Sequence, residues 1–120
     1  MGNVLIIDDE PAIGDYLSRL ISRLGHQVVT AQTATEAFEK LGADTFQLVI
    51  ADIRLPDAPD SKEWIRSLTQ KNSGTPVVLI SGAASDELNT CATENGVLAF
   101  LSKPFELAFI RNILENVFGK

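Results

Sequence analysis

Short apolar runs recur along the chain, and stretches with a helical pattern of apolar residues follow them. The runs are rich in valine, isoleucine and leucine, which is typical of buried β-strands. They cover residues 4–7, 28–29, 48–50, 77–80 and 97–101. In the segments that follow, apolar residues return every three or four positions, as on one face of an amphipathic helix. The pattern predicts five strand-helix units in succession.

Local signals predict the ends of the first two helices. Pro11 near the start and Gly25 after the end are typical of a helix that lies between them. Thr33 and Glu36 form a capping box, in which each side chain would accept a hydrogen bond from the other residue's backbone amide. Gly42 predicts the end of this second helix.

Spacing alone predicts the other three helices. The third covers about residues 60–71, and the last begins near residue 105. The fourth, between residues 85 and 95, has few apolar positions. We therefore expect the fourth helix to be thinly anchored and the easiest to shift.

The alternation of strands and helices predicts a parallel sheet with right-handed crossovers and helices on both faces. The first, third and fourth runs are apolar throughout, as in central strands, whereas residues 27–30 have polar ends and suit an edge strand. This favours the strand order 2-1-3-4-5. The fold class is then a doubly wound (βα)5 three-layer α/β sandwich, with a single domain over residues 1–120.

Charge and composition narrow the class of partner and the compartment. The formal net charge is −6 and the sequence has no cluster of lysine and arginine, which disfavours direct binding of nucleic acid or of an anionic membrane by this domain. The single cysteine, Cys91, cannot form an intramolecular disulfide. The first residues do not resemble a secretory leader, and no apolar stretch is long enough to span a bilayer. We expect a cytoplasmic location.

Polar residues of chemically useful types follow the apolar runs directly. Asp8 and Asp9 follow the first run, Asp52 the third, Ser81 the fourth and Lys103 the fifth. In the expected strand order the chain reverses direction between strands 1 and 3, which leaves a crevice at their carboxyl ends. Two carboxylates about 4 Å apart repel by roughly 4 kcal/mol at an effective dielectric near 20. Either one carboxylate takes a proton, or a hard divalent cation binds.

The charge count favours the cation. Three carboxylates and Lys103 sum to about −2, which one Mg²⁺ cancels while keeping positions for water and a phosphoryl oxygen. A carboxylate can accept a phosphoryl group as an acyl phosphate, which makes Asp52 a candidate nucleophile. The Lys103 ammonium and the Ser81 hydroxyl would offset the charge on the transferring oxygens.

These motifs together resemble the receiver domain of two-component response regulators, the CheY type. The resemblance covers essentially the whole chain. It rests on four short motifs, Asp8-Asp9, Asp52 with Leu55-Pro56, Ser81-Gly82 and Lys103-Pro104.

The resemblance implies a role for each site residue. Asp52 would be the phosphoacceptor, and Lys103 would contact the phosphoryl group. Mg²⁺ would be held by Asp8, Asp9, Asp52 and the backbone carbonyl of Arg54. Such a domain catalyses only its own Mg²⁺-dependent phosphorylation and dephosphorylation, so it is not expected to be an enzyme acting on other substrates.

The resemblance also implies a switch, an output surface and partners. Ser81 would be the switch hydroxyl and Phe100 the rotating aromatic, while a cis peptide before Pro104 would aim Lys103 into the site. The partners would be a histidine kinase or histidine phosphotransfer protein, and an effector domain or protein downstream. The surface formed by helix 4, strand 5 and helix 5 would carry the output and is a candidate homodimer contact.

Two features distinguish this chain from the usual family pattern. Asp60 occupies the usual position of a glycine after the Leu-Pro pair, so the sequence does not determine the path of that loop. Phe100 lacks the hydroxyl of the common tyrosine. We also hypothesise that the Arg54 guanidinium leans over the acyl phosphate and changes how easily water reaches it.

Two other functions compete with the signalling switch. A hydrolase of the haloacid dehalogenase kind shares the aspartate nucleophile and magnesium but needs a second aspartate two residues later, where this chain has Arg54. The other is a binding module that has kept the fold and lost phosphorylation. The intact set of Asp52, Ser81, Lys103 and the acidic pair argues against it.

Overall fold

The computed structural model describes residues 2–58, 60–71, 74–82, 85–103 and 105–119. Strands and helices alternate along the whole chain, as the sequence predicts. They are β1 (Asn3–Ile7), α1 (Pro11–Arg23), β2 (Gln27–Ala31), α2 (Ala34–Ala43), β3 (Leu48–Asp52), α3 (Ser61–Lys71), β4 (Val77–Ser81), α4 (Asp86–Glu94), β5 (Ala99–Ser102) and α5 (Leu107–Phe118).

The strands form one parallel sheet in the order β2-β1-β3-β4-β5, which confirms the predicted fold class and order. In its register Ile7 is paired with Ala51, Asp52 with Ile80, and Ser81 with Ser102. The strands that carry the predicted site residues therefore end at nearly the same level. Their polar continuations are brought to one edge of the sheet.

The sheet has an apolar layer on each face. Alternating residues of β1 show the division, because Leu5 and Ile7 belong to one layer and Val4 and Ile6 to the other. The first layer includes α2, α3 and α4, and the second includes α1 and α5. All residues of β3 and β4 are buried, which explains their uninterrupted apolar sequences.

Helix α1 ends as its sequence predicts. Leu24 is the C-cap residue of this helix. Gly25 follows it with a φ of 95°, a left-handed conformation that favours glycine. The amide of Gly25 donates to Ser22 O, and the amide of His26 donates to Ile21 O. These two bonds form a Schellman motif.

The prediction of a capping box at the start of α2 is only half correct. The Glu36 amide donates to the Thr33 hydroxyl at 3.0 Å, as predicted. The Glu36 carboxylate, however, accepts from the amide of Gln32 at 2.7 Å rather than from that of Thr33. The helix also continues past Gly42 and ends at Ala43.

Asp60, at the usual glycine position, lies directly before α3. Its carboxylate is 3.4 Å from the amide of Glu63, and its carbonyl oxygen accepts from the amide of Trp64 at 2.9 Å. Both contacts are those of a residue at a helix N-cap. The local reason for aspartate here is therefore helix capping.

Helix α4 has a small apolar contact with the rest of the molecule. Cys91 and Ala92 are its buried residues, and Leu88 is packed partly against the core. Lys62 on α3 forms an ion pair with Glu87 on α4, but both side chains are exposed, and such pairs contribute little stability. The ease with which α4 shifts stays a prediction.

Among the described residues, no helix is long and apolar enough to cross a membrane.

A long-range contact that the sequence did not predict fixes the loop after β3. The Asp57 carboxylate accepts hydrogen bonds from the amide of Ala34, at 2.7 Å, and from the amide and hydroxyl of Thr35, at 3.0 and 2.8 Å. It therefore caps the N-terminus of α2 from a different part of the chain. The hydrogen bonds from Thr35 and Ala34 lower the pKa of Asp57 below its usual value.

We expect Asp57→Ala to lower the urea midpoint of unfolding at pH 7, because it leaves two helix amides without their carboxylate partner. The pKa of Asp57 is lower in the folded state, so its stabilising effect is present above the ordinary value of 3.8 and is lost as the pH falls further. The difference from the unsubstituted protein should therefore shrink below about pH 4.

Asp44→Ala, at the other end of the same helix, is the matched control. It removes an equal charge from the negative end of the helix dipole and should not reduce stability in this way. An Asp57→Ala protein as stable as the unsubstituted one at pH 7 would contradict the capping role.

Candidate functional site

Four strand ends place the site residues at the carboxyl edge of the sheet. Asp8, Asp9 and Glu10 follow β1, Asp52 ends β3, and Ser81 ends β4. The residue that follows β5 is Lys103. Together with Arg54 and Gly82, several of these residues line an open cavity of about 430 Å³. The structure therefore brings the predicted set together.

The carboxylates form a tight cluster that includes one residue the sequence reasoning missed. Ligand atoms of Asp8, Asp9, Glu10 and Asp52 all lie within 4.8 Å of one another. Asp8 and Asp52 are buried, with 4% and 5% of their surface exposed, whereas Asp9 and Glu10 are exposed. A third consecutive acidic residue was visible in the sequence, but only the fold shows that Glu10 turns back towards the site.

Lys103 is the cation at the centre of the cluster. Its Nζ donates to Glu10 Oε1 and to Asp52 Oδ2, both at 2.9 Å, and lies 3.4 Å from Asp8 Oδ2. The backbone amide of Lys103 also donates to Ser81 O at 2.9 Å, which fixes the main chain beside β4. One ammonium thus contacts three carboxylates.

The pKa values of Lys103 and Asp8 are both raised, for different physical reasons. Burial alone would lower the pKa of Lys103, but hydrogen bonds to Glu10 and Asp52 and the charges of Asp52 and Asp8 outweigh it and raise the pKa well above its usual range. Burial raises the pKa of Asp8, opposed by the hydrogen bond from the amide of Glu10, and the charge of Asp52 raises it further. Lys103 is therefore a permanent cation in a site with excess negative charge.

The backbone after β3 orients the Asp52 carboxylate. The amide of Arg54 donates to Asp52 Oδ1 at 3.1 Å, while Oδ2 accepts from Lys103. The amide of Ile53 donates to Ile80 O at 3.1 Å and continues the pairing with β4. Both carboxylate oxygens have a donor, and the side chain is held towards the cavity.

The remaining predicted residues lie around this centre. Ser81 is 1% exposed at the end of β4, and Phe100 on β5 is half-buried against the layer that contains α4. Arg54 is exposed and lines the cavity. The predicted cis peptide involves Pro104, which lies outside the described residues.

The donor set fits a hard divalent cation. Carboxylate oxygens are the ligands that Mg²⁺ prefers, and the cluster is open to solvent, which suits an ion that keeps several waters. Four carboxylates and one ammonium sum to −3, which a divalent cation reduces to about −1. The charge imbalance is larger than three carboxylates alone predict, so the argument for a cation is stronger.

Trp64 supports the site from within the core. Its side chain is fully buried, and its indole Nε1 donates to the backbone carbonyl of Asp52 at 2.9 Å. The ring also makes an edge contact with Phe38 of α2, with 5.5 Å between ring centroids. The sequence indicated only a core residue here, because nothing in the helical spacing reports the partner of the indole nitrogen.

We expect Trp64→Phe to destabilise the fold by about 1–3 kcal/mol, because the buried Asp52 carbonyl loses its donor while most of the ring volume is kept. Urea unfolding measures the loss. In the unsubstituted protein the indole N–H should exchange slowly with solvent deuterium. Unchanged stability together with fast indole exchange would contradict the hydrogen bond.

Comparisons with known proteins agree with this geometry. The family model described as the response regulator receiver domain matches residues 4–115. The response regulator protein PilR of Pseudomonas aeruginosa is 32% identical over 112 residues, which are 93% of this chain and 25% of that protein. The KDP operon transcriptional regulatory protein KdpE of Escherichia coli is 35% identical over 105 residues, which are 88% of this chain and 46% of KdpE. The chain thus spans between a quarter and a half of these relatives.

Solved structures show the same fold. A CheY-like receiver domain protein from Methanospirillum hungatei has a TM-score of 0.89 and 28% identity, and the match covers 99% of this chain and 95% of that one. A response regulator from Burkholderia pseudomallei with a phosphorylated aspartic acid and a calcium ion has a TM-score of 0.83 and 26% identity, over 98% of this chain and 66% of that one. Receiver domains are signalling domains rather than classical enzymes. The chain belongs to the receiver domain family of two-component response regulators, whose members are phosphorylatable aspartate switches.

Proposed function

We propose that Asp52 is the phosphoacceptor of this receiver domain and takes its phosphoryl group from a phosphohistidine on a partner kinase or phosphotransfer protein. The observation that carries the proposal is the contact of Asp52 Oδ2 with Lys103 Nζ, at 2.9 Å, inside a cluster of four carboxylates. Asp52 is buried, and in this proposal its carboxylate is a nucleophile with a cation beside it. The cavity in front of it is open to a protein donor.

In the transfer, one Asp52 oxygen forms the new P–O bond while the P–N bond to the donor imidazole breaks. The electron pair of that bond stays on the imidazole nitrogen. Lys103 and the Ser81 hydroxyl would offset the charge on the phosphoryl oxygens. Because little covalent chemistry is required of the protein, position and electrostatics supply most of the rate. The same residues would serve hydrolysis of the acyl phosphate by water.

Asp8, Asp9, Asp52 and the backbone carbonyl of Arg54 would hold Mg²⁺. When bound, the ion neutralises charge that develops on the transferring phosphoryl group. The support for this assignment is the cluster of hard oxygen ligands and its net negative charge. The positive charge of the ion would also reduce the repulsion between these carboxylates and an incoming anionic phosphoryl group.

The phosphoryl signal would be read through Ser81 and Phe100. A charge-assisted hydrogen bond from Ser81 is worth roughly 1.5–3 kcal/mol, whereas turning a 1:99 equilibrium into 99:1 needs about 5.5 kcal/mol. Lys103 must therefore contribute, or the unphosphorylated domain already samples the active state. Movement of Phe100 beside the small apolar contact of α4 would change the α4-β5-α5 surface.

This surface would control an effector domain or protein, or support a homodimer. The relatives support the first part, because they are transcriptional or other response regulators longer than this chain. Residues 1–120 would then act as one receiver unit, in the cytoplasm, without binding nucleic acid or membrane themselves. Self-phosphorylation and dephosphorylation would be their only catalysis.

Incubation with Mg²⁺ and acetyl phosphate or phosphoramidate should add one phosphoryl group, which intact mass spectrometry detects. Asp52→Asn should show no adduct, because an amide cannot form the acyl phosphate. Chelation of the metal should also abolish the adduct. No adduct with any donor would indicate a binding module, and rapid turnover of an external phosphoester would indicate a hydrolase of the haloacid dehalogenase kind.

We expect Arg54→Ala to speed loss of the phosphoryl group, because the exposed guanidinium lines the cavity where water must approach. The decay of the adduct after removal of the donor measures this rate. Arg66→Ala on the exposed face of α3 removes the same charge away from the cavity and is the control. Equal decay rates in both variants and the unsubstituted protein would disprove a shielding role for Arg54.

A further inference from the structure

Glu10 makes a contact that its place in the sequence does not require. It occupies the N-cap position of α1, where a side-chain oxygen, usually of Ser, Thr, Asp or Asn, accepts from the first helix amides. Among the described residues, its carboxylate caps none of those amides. Instead, Glu10 Oε1 accepts from Lys103 Nζ at 2.9 Å, across the mouth of the cavity.

Carboxylates surround the ammonium of Lys103. Its Nζ donates to Glu10 and Asp52 at 2.9 Å and forms an ion pair with Asp8 at 3.4 Å. An ammonium has three N–H groups, so a phosphoryl oxygen that binds Lys103 must compete with these carboxylates for them. The three carboxylates differ in the free energy needed to release them from Lys103.

The other two carboxylates are held by further bonds and by burial. Asp8 Oδ1 accepts from the amide of Glu10 at 2.9 Å, and Asp52 Oδ1 accepts from the amide of Arg54 at 3.1 Å. The side chains of Asp8 and Asp52 are 2% and 6% exposed, whereas that of Glu10 is 58% exposed. Release of Glu10 costs the least of the three, because water already solvates its exposed carboxylate. Glu10 is therefore the group that leaves.

We propose that Glu10 is an internal stand-in for the phosphoryl group, a positioning residue that holds Lys103 while Asp52 is unmodified and yields it when the phosphoryl group arrives. This inference rests on the function proposed for Asp52. A carboxylate and a phosphoryl group offer the ammonium the same kind of anionic oxygen. Lys103 would then have an anionic hydrogen-bond partner both before and after the phosphoryl transfer.

In this role, the charge of Glu10 should strengthen the binding of one ligand of the site and weaken the binding of the other. Its charge lies within 4.8 Å of the carboxylates that would hold Mg²⁺, so it should strengthen cation binding. The same charge repels an incoming phosphoryl group and competes with it for Lys103. Replacement of a side chain with a merely structural role would weaken the binding of both ligands.

Glu10→Gln tests this, because it removes the charge and keeps the shape of a side chain that is mostly in solvent. Mg²⁺ affinity is measured by isothermal titration calorimetry at fixed ionic strength. Beryllofluoride, a non-covalent phosphoryl mimic, is titrated at saturating Mg²⁺ and followed by ¹⁹F NMR. We expect Mg²⁺ to bind about five- to tenfold more weakly and beryllofluoride about five- to tenfold more tightly, on the Coulomb scale of a unit charge about 4 Å away near water.

Glu39→Gln on the exposed face of α2 makes the same chemical change away from the cavity, and both affinities should stay as in the unsubstituted protein. The opposite shifts in Glu10→Gln, with Glu39→Gln unchanged, support the proposal. Any other combination, such as both ligands weakened or neither affected, overturns it. If the unsubstituted protein takes no phosphoryl group from any donor, the proposed function fails instead, whatever the beryllofluoride result.

Discussion

The charge balance around Lys103 is the constraint on which the rest of this structure depends. Four carboxylates lie within 4.8 Å of one another, and a single ammonium contacts three of them. Unit charges at such distances repel strongly unless an opposite charge lies between them. The carboxyl edge of the sheet can hold this cluster only because β5 delivers its lysine to the same place. The net charge of −3 favours a divalent cation, which would also lower the repulsion met by an incoming anionic phosphoryl group.

The fold keeps these groups at fixed distances by burial on both faces of the sheet. Strands β3 and β4 are buried throughout, so their ends cannot move without opening the apolar layers. Behind the site, Trp64 holds the carbonyl of Asp52, and Asp57 ties the following loop to α2. The Asp52 carboxylate is thus backed by rigid contacts on one side and faces an open cavity on the other. Adaptable groups remain at the rim, where Glu10 and Arg54 are exposed.

Much of this could be predicted from the sequence, because periodicity and strand-end residues are local signals. The strand order followed from the polar ends of β2, and the Schellman end of α1 followed from Gly25. Contacts that depend on where a long side chain turns were missed or misassigned. The Glu36 carboxylate accepts from Gln32 rather than from the predicted partner. The indole bond of Trp64 joins residues 12 apart in the chain, and helical spacing carries no signal for it.

The sequence by itself determined the fold class, the family and most of the residues at the carboxyl edge of the sheet, since short motifs after apolar runs encode them; Glu10 was the member it did not indicate. Only the tertiary structure decided how those residues share charge. It placed Lys103, which is 93 residues from Glu10 in the chain, within hydrogen-bonding distance of it. Which carboxylates are buried and which are exposed depends on packing between distant segments. Local sequence patterns do not record that information, because it arises from the shared geometry of the sheet ends.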